Sequence, residues 1–252
     1  DILEDPFDGV THIFHQAGQP GVRASWGQEF AGYVNCNILA TKRVLEAARA
    51  VETLEALVAA SSSSVYGIAE TAPTTENCIP RPISPYGVTK LASEHLCSLY
   101  GTEFGLPTVS LRYFTVYGPR QRPDMAIRRL IECVLKQETF ELNGDGTQRR
   151  DFTFVSDVVR ANVVASKFLS AGALGGQVFN IGGGSPVSIN VLIRYIEELT
   201  GRTLNIARTA VAAGDPSITY ADASRAAQTL NWRAKTGIES GLSKTIEWLI
   251  DS

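Results

Sequence analysis

The sequence lacks most of the signals that reveal a small protein's chemistry at sight. Its four cysteines, Cys36, Cys78, Cys97 and Cys133, form no C-x-x-C pair and no metal-ligand spacing. They read as reduced core residues of a cytoplasmic protein. Charge is not concentrated either. Lys and Arg number 23 against 26 Asp and Glu, a net charge of −3, with no basic cluster, so a nucleic-acid surface is not indicated. No apolar run approaches the roughly 20 residues that a membrane span needs, and no signal-peptide pattern opens the chain. No internal repeat or low-complexity segment occurs. The 22 glycines include no G-x-G-x-x-G or G-x-x-G-x-x-G. Gly182-Gly183-Gly184 is no substitute, because it follows a late strand and runs into Ser185-Pro186 instead of opening a helix.

What is present is a regular alternation. A chain of 252 residues can bury a sizeable core, as one large domain or two smaller ones. Strands are expected at 10–15, 54–60, 108–113, 177–181 and 204–207, with short strands between 140 and 154. Helices are expected at 29–50, 86–104, 126–137, 156–169, 188–201, 224–230 and 238–249. This is an α/β pattern. Ser84 followed by Pro85 reads as an N-cap and a first helical residue, which puts Tyr86 in the first turn. Lys90, four residues on, rises from the same helical face. A nearby ammonium and the positive end of the helix dipole both favour phenolate, so a tyrosine pKa below the free value of about 10 is expected. Upstream, Ser61-Ser62-Ser63-Ser64 ends a strand, where ligands gather in open α/β sheets. Ser61 and Ser63 by themselves read as solvent-facing strand ends. His12 and His15 have no partner at metal-ligand spacing, and no metal site is expected.

These residues, taken with His15-Gln16-Ala17-Gly18, Asn37, Arg112-Tyr113-Phe114-Thr115-Val116-Tyr117-Gly118-Pro119, Arg150-Asp151-Phe152 and Asn180-Ile181-Gly182, carry a resemblance. The chain resembles an extended short-chain dehydrogenase/reductase, the group of NAD-dependent nucleotide-sugar epimerases and dehydratases, over nearly its whole length. Phe114 to Pro119 followed by Arg122-Pro123-Asp124-Met125-Ala126 is most similar to UDP-glucuronate 4-epimerases, with the UDP-glucose 4-epimerases next to them.

The resemblance implies an N-terminally truncated, Rossmann-like, doubly wound parallel sheet with a smaller α/β substrate domain, divided as 1–118 plus 152–182 and 119–151 plus 183–252. It implies NAD as cofactor and a UDP-sugar as substrate. Tyr86 is then the base that takes the proton of the sugar 4-hydroxyl while hydride leaves C4. Lys90 holds Tyr86 anionic and binds the nicotinamide ribose, and Ser62 hydrogen-bonds the same sugar oxygen. Asp1 and Ile2 stand where relatives touch the adenine, Gln16, Ala17 and Gly18 form a loop beside the dinucleotide, and Asn37 supports the site. Dehydratases carry Asp-Glu where this chain has Ser63-Ser64, so dehydration is disfavoured and Ser63 joins the substrate residues. Thr115 replaces an Asn that lies near the sugar or phosphates in galactose-type epimerases. Arg122 aligns with an arginine that meets the sugar carboxylate in uronate enzymes, a role its planar fork suits. It reads equally as a solvated loop charge. Arg150 matches a diphosphate-binding arginine, with an ion pair to Asp151 or Asp157 as the plainer reading. Asp215 completes the substrate set.

The same resemblance aligns Asp1 with the end of a third strand. A first strand, a Gly-rich turn, a first helix and the next βα unit, about 60 residues, are therefore expected to be missing, and NAD is expected to bind weakly or not at all. The 10–15 strand, mid-sheet in relatives, is expected to become an edge covered by a partner chain or by a rearranged segment of its own. Relatives dimerise through a four-helix bundle, so a homodimer or larger homo-oligomer is expected. Two rival readings stand beside the epimerase. One is a cofactor-independent, glycosidase-like hydrolase reusing Tyr86, Ser62 and nearby carboxylates. The other is an inactive binding remnant.

Overall fold

Along Ala56–Ser62, Leu57, Ala59 and Ser61 alternate with Ala56, Val58 and Ala60, and all but Ala60 are buried. A strand covered on both faces belongs inside a parallel sheet with helices on each side, and that is its setting here. The computed structural model describes residues 7–210 and 217–251. Its first strand is β1 (His12–His15). Two 3-10 turns, Arg23–Ser25 and Gly27–Glu29, lead into α1 (Phe30–Tyr33), a π-helical stretch (Val34–Leu39) and α2 (Ala40–Arg49). β2 (Ala56–Ser62) ends in a 3-10 turn at Ser63–Val65, and a proline-rich loop connects it to α3 (Pro85–Phe104). Then come β3 (Thr108–Tyr113), β4 (Val116–Tyr117), α4 (Ala126–Lys136), β5 (Thr139–Asn143), β6 (Arg149–Asp151) and β7 (Thr153–Phe154). α5 (Val155–Ser170), β8 (Gln177–Ile181), β9 (Pro186–Ser188), α6 (Ile189–Thr200) and β10 (Asn205–Thr209) follow. β11 (Ile218–Thr219), α7 (Ser224–Thr229) and α8 (Ile238–Asp251) complete the described chain.

The main sheet has the order β1-β2-β3-β8, all parallel, with His12 opposite Ala56, Ala60 opposite Leu111 and Arg112 opposite Asn180. Leu57 and Ala59 pack with Leu45 and Ala48 of α2 and with Cys97 and Tyr100 of α3. Ala56 and Val58 pack instead with Val158, Ala161 and Ala165 of α5. Helices thus cover both faces, in the doubly wound, Rossmann-like arrangement that the resemblance implied. A second core joins Ile127, Leu130 and Ile131 of α4, Phe140 and Leu142 of β5, Leu192 and Ile196 of α6, and Leu242 and Ile246 of α8. β5 pairs with β10, and β6 lies between β11 and β9. Ser188 caps α6 by accepting the Val191 N–H at 3.3 Å, as its place before an apolar periodic stretch predicts.

Two expectations are corrected here, and a third is met in part. The single helix over 29–50 is interrupted, because the Asn37 carbonyl accepts the hydroxyls of Thr41 and Ser93, both at 2.6 Å. With that carbonyl claimed from the side, the backbone widens and the Ala40 N–H reaches back to Asn35. The cysteines are all free, but only Cys97 is buried; Cys36 is exposed, and Cys78 and Cys133 are half-buried. Their places on the elements decide this, since Cys97 faces the sheet and Cys36 faces away. β1 is the expected edge, with β2 as its one partner among the described residues, and Phe14 is 45% exposed. No described segment of the chain folds back over that edge. The loop leaving β1 is held elsewhere, over α3, by the side chains of Tyr33 and Asn37. No helix among the described residues is long and apolar enough to cross a membrane.

Candidate active site

Ser84 is extended and its hydroxyl accepts the Gly87 N–H at 3.1 Å, so α3 begins at Pro85 with Tyr86 in its first turn. Gly87 is required there. A Cβ on it would stand 2.6 Å from the Ser64 carbonyl oxygen, so only glycine lets the helix start close against the serine run. Ser62 is the last residue of β2, and its Oγ accepts the Ser64 N–H at 3.1 Å. Its hydroxyl also lies near enough to the Tyr86 phenol to lower that group's pKa. Strand end and helix start thus bring together the two side chains that the motif paired.

Lys90 lies one turn further along, buried, and donates to the Ala60 carbonyl at 2.8 Å. An ammonium has three donors, which leaves N–H groups over for a ligand. Beside it stands Gly18, where a Cβ would come within 3.4 Å of Lys90 Nζ and 2.9 Å of Asn37 Oδ1. Asn37 Oδ1 accepts the Gln19 N–H at 2.7 Å, and its Nδ2 donates to the Gln19 carbonyl and to Thr89 Oγ1. The residue therefore ties the 16–21 loop to α3. Burial lowers the Lys90 pKa to about 8.

The electrostatics correct one expectation. The Tyr86 pKa is raised, not lowered, and burial is the cause. Opposing it are the Ser62 hydroxyl and then the charge of Arg122. Helical spacing placed Lys90 on the same face as Tyr86, but its ammonium is engaged with the strand carbonyl below.

Ser61, expected at a solvent-facing strand end, is buried and donates to Glu94 at 2.7 Å. Glu94 receives Arg112 through Nε at 2.9 Å and Nη2 at 2.5 Å. Arg112 Nη1 donates to the Tyr66 hydroxyl, which donates in turn to Asn180. This network was not foreseen. A buried charge on a strand opposite serines was the available signal.

On the outer side, Arg122 is half-exposed and donates to Asp124 at 2.9 Å, while its charge acts on Tyr86. Ser63 and Thr115 are half-buried, and the Thr115 carbonyl accepts the Thr153 N–H at 2.9 Å. Arg150 lies on β6 and donates to the Arg149 carbonyl. Asp151 is not its described partner, because its carboxylate is wrapped by the N–H groups of Gly183, Gly184, Ser185 and Ala221. Asp157 is engaged by Arg160 and the N–H groups of Lys235 and Thr236. Gln16 turns away from Lys90, toward Asn162 of α5 and Tyr113, and Ala17 is exposed. Asp1, Ile2 and Asp215 lie outside the described residues. Among the described residues, no three His, Cys, Asp or Glu side chains converge as metal ligands.

Comparison with known proteins decides the family. The model of the NAD dependent epimerase/dehydratase family matches residues 1–182. YtcB of Bacillus subtilis (strain 168), an uncharacterized UDP-glucose epimerase, is 45% identical over 247 residues, 98% of this chain and 77% of YtcB. The chain belongs to the NAD dependent epimerase/dehydratase family. The UDP-glucuronate 4-epimerase of Thermodesulfobacterium geofontis (strain OPF15) is 37% identical over 241 residues, 95% of this chain and 72% of that protein. The solved UDP-glucuronic acid 4-epimerase from Bacillus cereus, in complex with UDP-glucuronic acid and NAD, is 40% identical with a TM-score of 0.93, over 100% of this chain and 79% of that one. The described residues leave room for a polar group beside Lys90. Gly18 keeps clear the space beside Lys90 and Asn37 that any side chain would fill, and Lys90 has donors to offer.

Proposed function

We propose that the chain is a UDP-sugar 4-epimerase for UDP-glucuronate and UDP-galacturonate, using NAD. The observation that carries this is the Ser62 hydroxyl at the end of β2 and the charge of Arg122, both acting on the Tyr86 phenol at the start of α3. Tyr86 takes the proton of the sugar 4-hydroxyl and Ser62 holds that oxygen in reach of it. When bound, NAD supplies the hydride acceptor and donor for C4. Lys90, Gly18 and Asn37 are the residues that would hold its ribose end. Arg122 stands toward the sugar's carboxylate, where a guanidinium fork gives a paired hydrogen bond. Ser63, Thr115 and Arg150 complete the sugar-nucleotide side, together with Asp215, and Asp1, Ile2, Gln16 and Ala17 belong to the cofactor's other end.

The hydrolase reading needs a carboxylate at Tyr86. The charged or ionisable groups that act on this phenol are Arg122 and Tyr33, which supports the epimerase instead. We place the protein in the cytoplasm, on its free cysteines, and as a homodimer, on the exposed Leu99 and Phe104 of α3 and Leu39 beside α2. Light scattering giving a monomer would reject the dimer. For substrate, the test is thermal stabilisation. UDP-glucuronate should raise the melting temperature more than UDP-glucose does, by the equivalent of about 1.4 kcal/mol for a tenfold affinity difference. Arg122→Leu should erase the difference. Equal shifts for the charged and neutral sugars in the unaltered protein reject the uronate assignment.

A further inference from the structure

Tyr33 has no part in the motifs, yet it touches both halves of the site. It is 1% exposed, the last residue of α1, and one turn before Asn37. Its ring meets the Tyr86 ring edge-on, with centroids 6.3 Å apart and an interplanar angle of 74°. Its hydroxyl is shared between the carbonyls of Pro20 at 3.1 Å and Gly21 at 2.9 Å. Gly21 makes room for that hydroxyl, since a Cβ there would stand 3.2 Å from it and φ is +114°. Asn37 takes both backbone groups of Gln19. Two side chains from one stretch of helix therefore grip three successive loop residues, and both also touch α3, at Thr89 and Tyr86.

We propose that Tyr33 is a positioning residue with two separable parts. Its ring fixes the plane of the Tyr86 phenol, and its hydroxyl fastens the 19–21 loop beside Lys90. The inference rests on Tyr86 being the base. Among the described residues, the groups whose hydrogen bonding or charge acts on the Tyr86 phenol are Ser62 from β2, Arg122 from the loop before α4, and Tyr33 from α1, with Lys90 a turn along its own helix. None but Tyr33 presents a flat apolar surface, so none can replace it in setting the ring's orientation. The hydroxyl needs no ionisation for its task. It ties two carbonyls of a largely exposed loop to a buried helix side chain.

The experiment uses the whole chain with 3-fluorotyrosine in place of its eight tyrosines. Tyr86→Phe identifies the Tyr86 fluorine line. Tyr33→Phe should leave that line in place, while amide exchange across the 16–21 loop quickens about three- to tenfold for one lost hydrogen bond. Tyr33→Leu should quicken the loop equally, move the Tyr86 line, and lower kcat for UDP-glucuronate about tenfold with little change in KM. A Tyr86 line unmoved in Tyr33→Leu overturns the ring's role, and unchanged exchange in Tyr33→Phe overturns the hydroxyl's. If Tyr86→Phe retains full turnover, the assignment of the base fails instead, and the fluorine line still reads whether Tyr33 orients that ring.

Discussion

Replacing Arg112 by methionine removes one half of a charge pair that is closed to water. The side chains of Arg112 and Glu94 are 5% and 4% exposed, so solvent screening does little to weaken their interaction. The guanidinium makes two hydrogen bonds to Glu94 and one to Tyr66. Methionine fills much of the arginine stem's volume, but leaves Glu94 with the Ser61 hydroxyl as its remaining polar contact. A buried carboxylate stripped of its cation costs about 3–5 kcal/mol. Against a typical stability of about 5–15 kcal/mol, the loss is large. At about 2–4 °C per kcal/mol for a chain of this size, the melting temperature should fall by about 6–20 °C. Arg112→Met with Glu94→Leu removes both charges, and well-packed apolar replacements of buried pairs are close to neutral, so the double variant should recover most of the loss. Urea unfolding followed by circular dichroism measures both. The reasoning is refuted if the single variant loses less than about 1 kcal/mol, the range of an exposed pair. It is equally refuted if the double variant is no better than the single.

Lys90→Met should stabilise the protein at neutral pH, because burial lowers the lysine's folded pKa to about 8 from 10.5. Below pH 8 the native state carries a proton it holds poorly. Between about 8 and 10.5 the unfolded state binds more protons, so wild-type stability rises with pH and the variant's advantage fades. Melting temperatures taken from pH 7 to 10 check this, and an advantage that grows with pH contradicts it. Ser62→Ala removes the stronger of the two influences, Ser62 and Arg122, that hold the raised Tyr86 pKa down. The alkaline rise of turnover should therefore move to higher pH, as read from kcat/KM profiles, and a move to lower pH would be the wrong sign.

Much of this fold and site is local, and local features are legible in a sequence. Ser84-Pro85 starts α3 at the residue expected, because cap and first turn are decided within four positions. β3 and β8 have the expected bounds, and the four apolar positions of α6 that were expected to share a face, Ile189, Leu192, Ile193 and Ile196, are all buried. What could not be read depends on partners far along the chain. The π-helical stretch is set by Ser93, 56 residues beyond the carbonyl it claims. Ser61 is buried because Glu94, 33 residues away, receives its hydroxyl. The error over Tyr86 has the same origin. Helical spacing correctly put an ammonium on its face, but spacing carries no information about burial or about the Ala60 carbonyl that takes the ammonium up. A proton-accepting tyrosine in this fold is therefore not made by its lysine alone. Burial raises the Tyr86 pKa, and the groups that oppose it, Ser62 and Arg122, are the ones that the proposed function turns toward the substrate. On the proposed function, that arrangement couples the base to occupancy of the sugar site. A carboxylate arriving at Arg122 would offset part of the charge that loosens the proton.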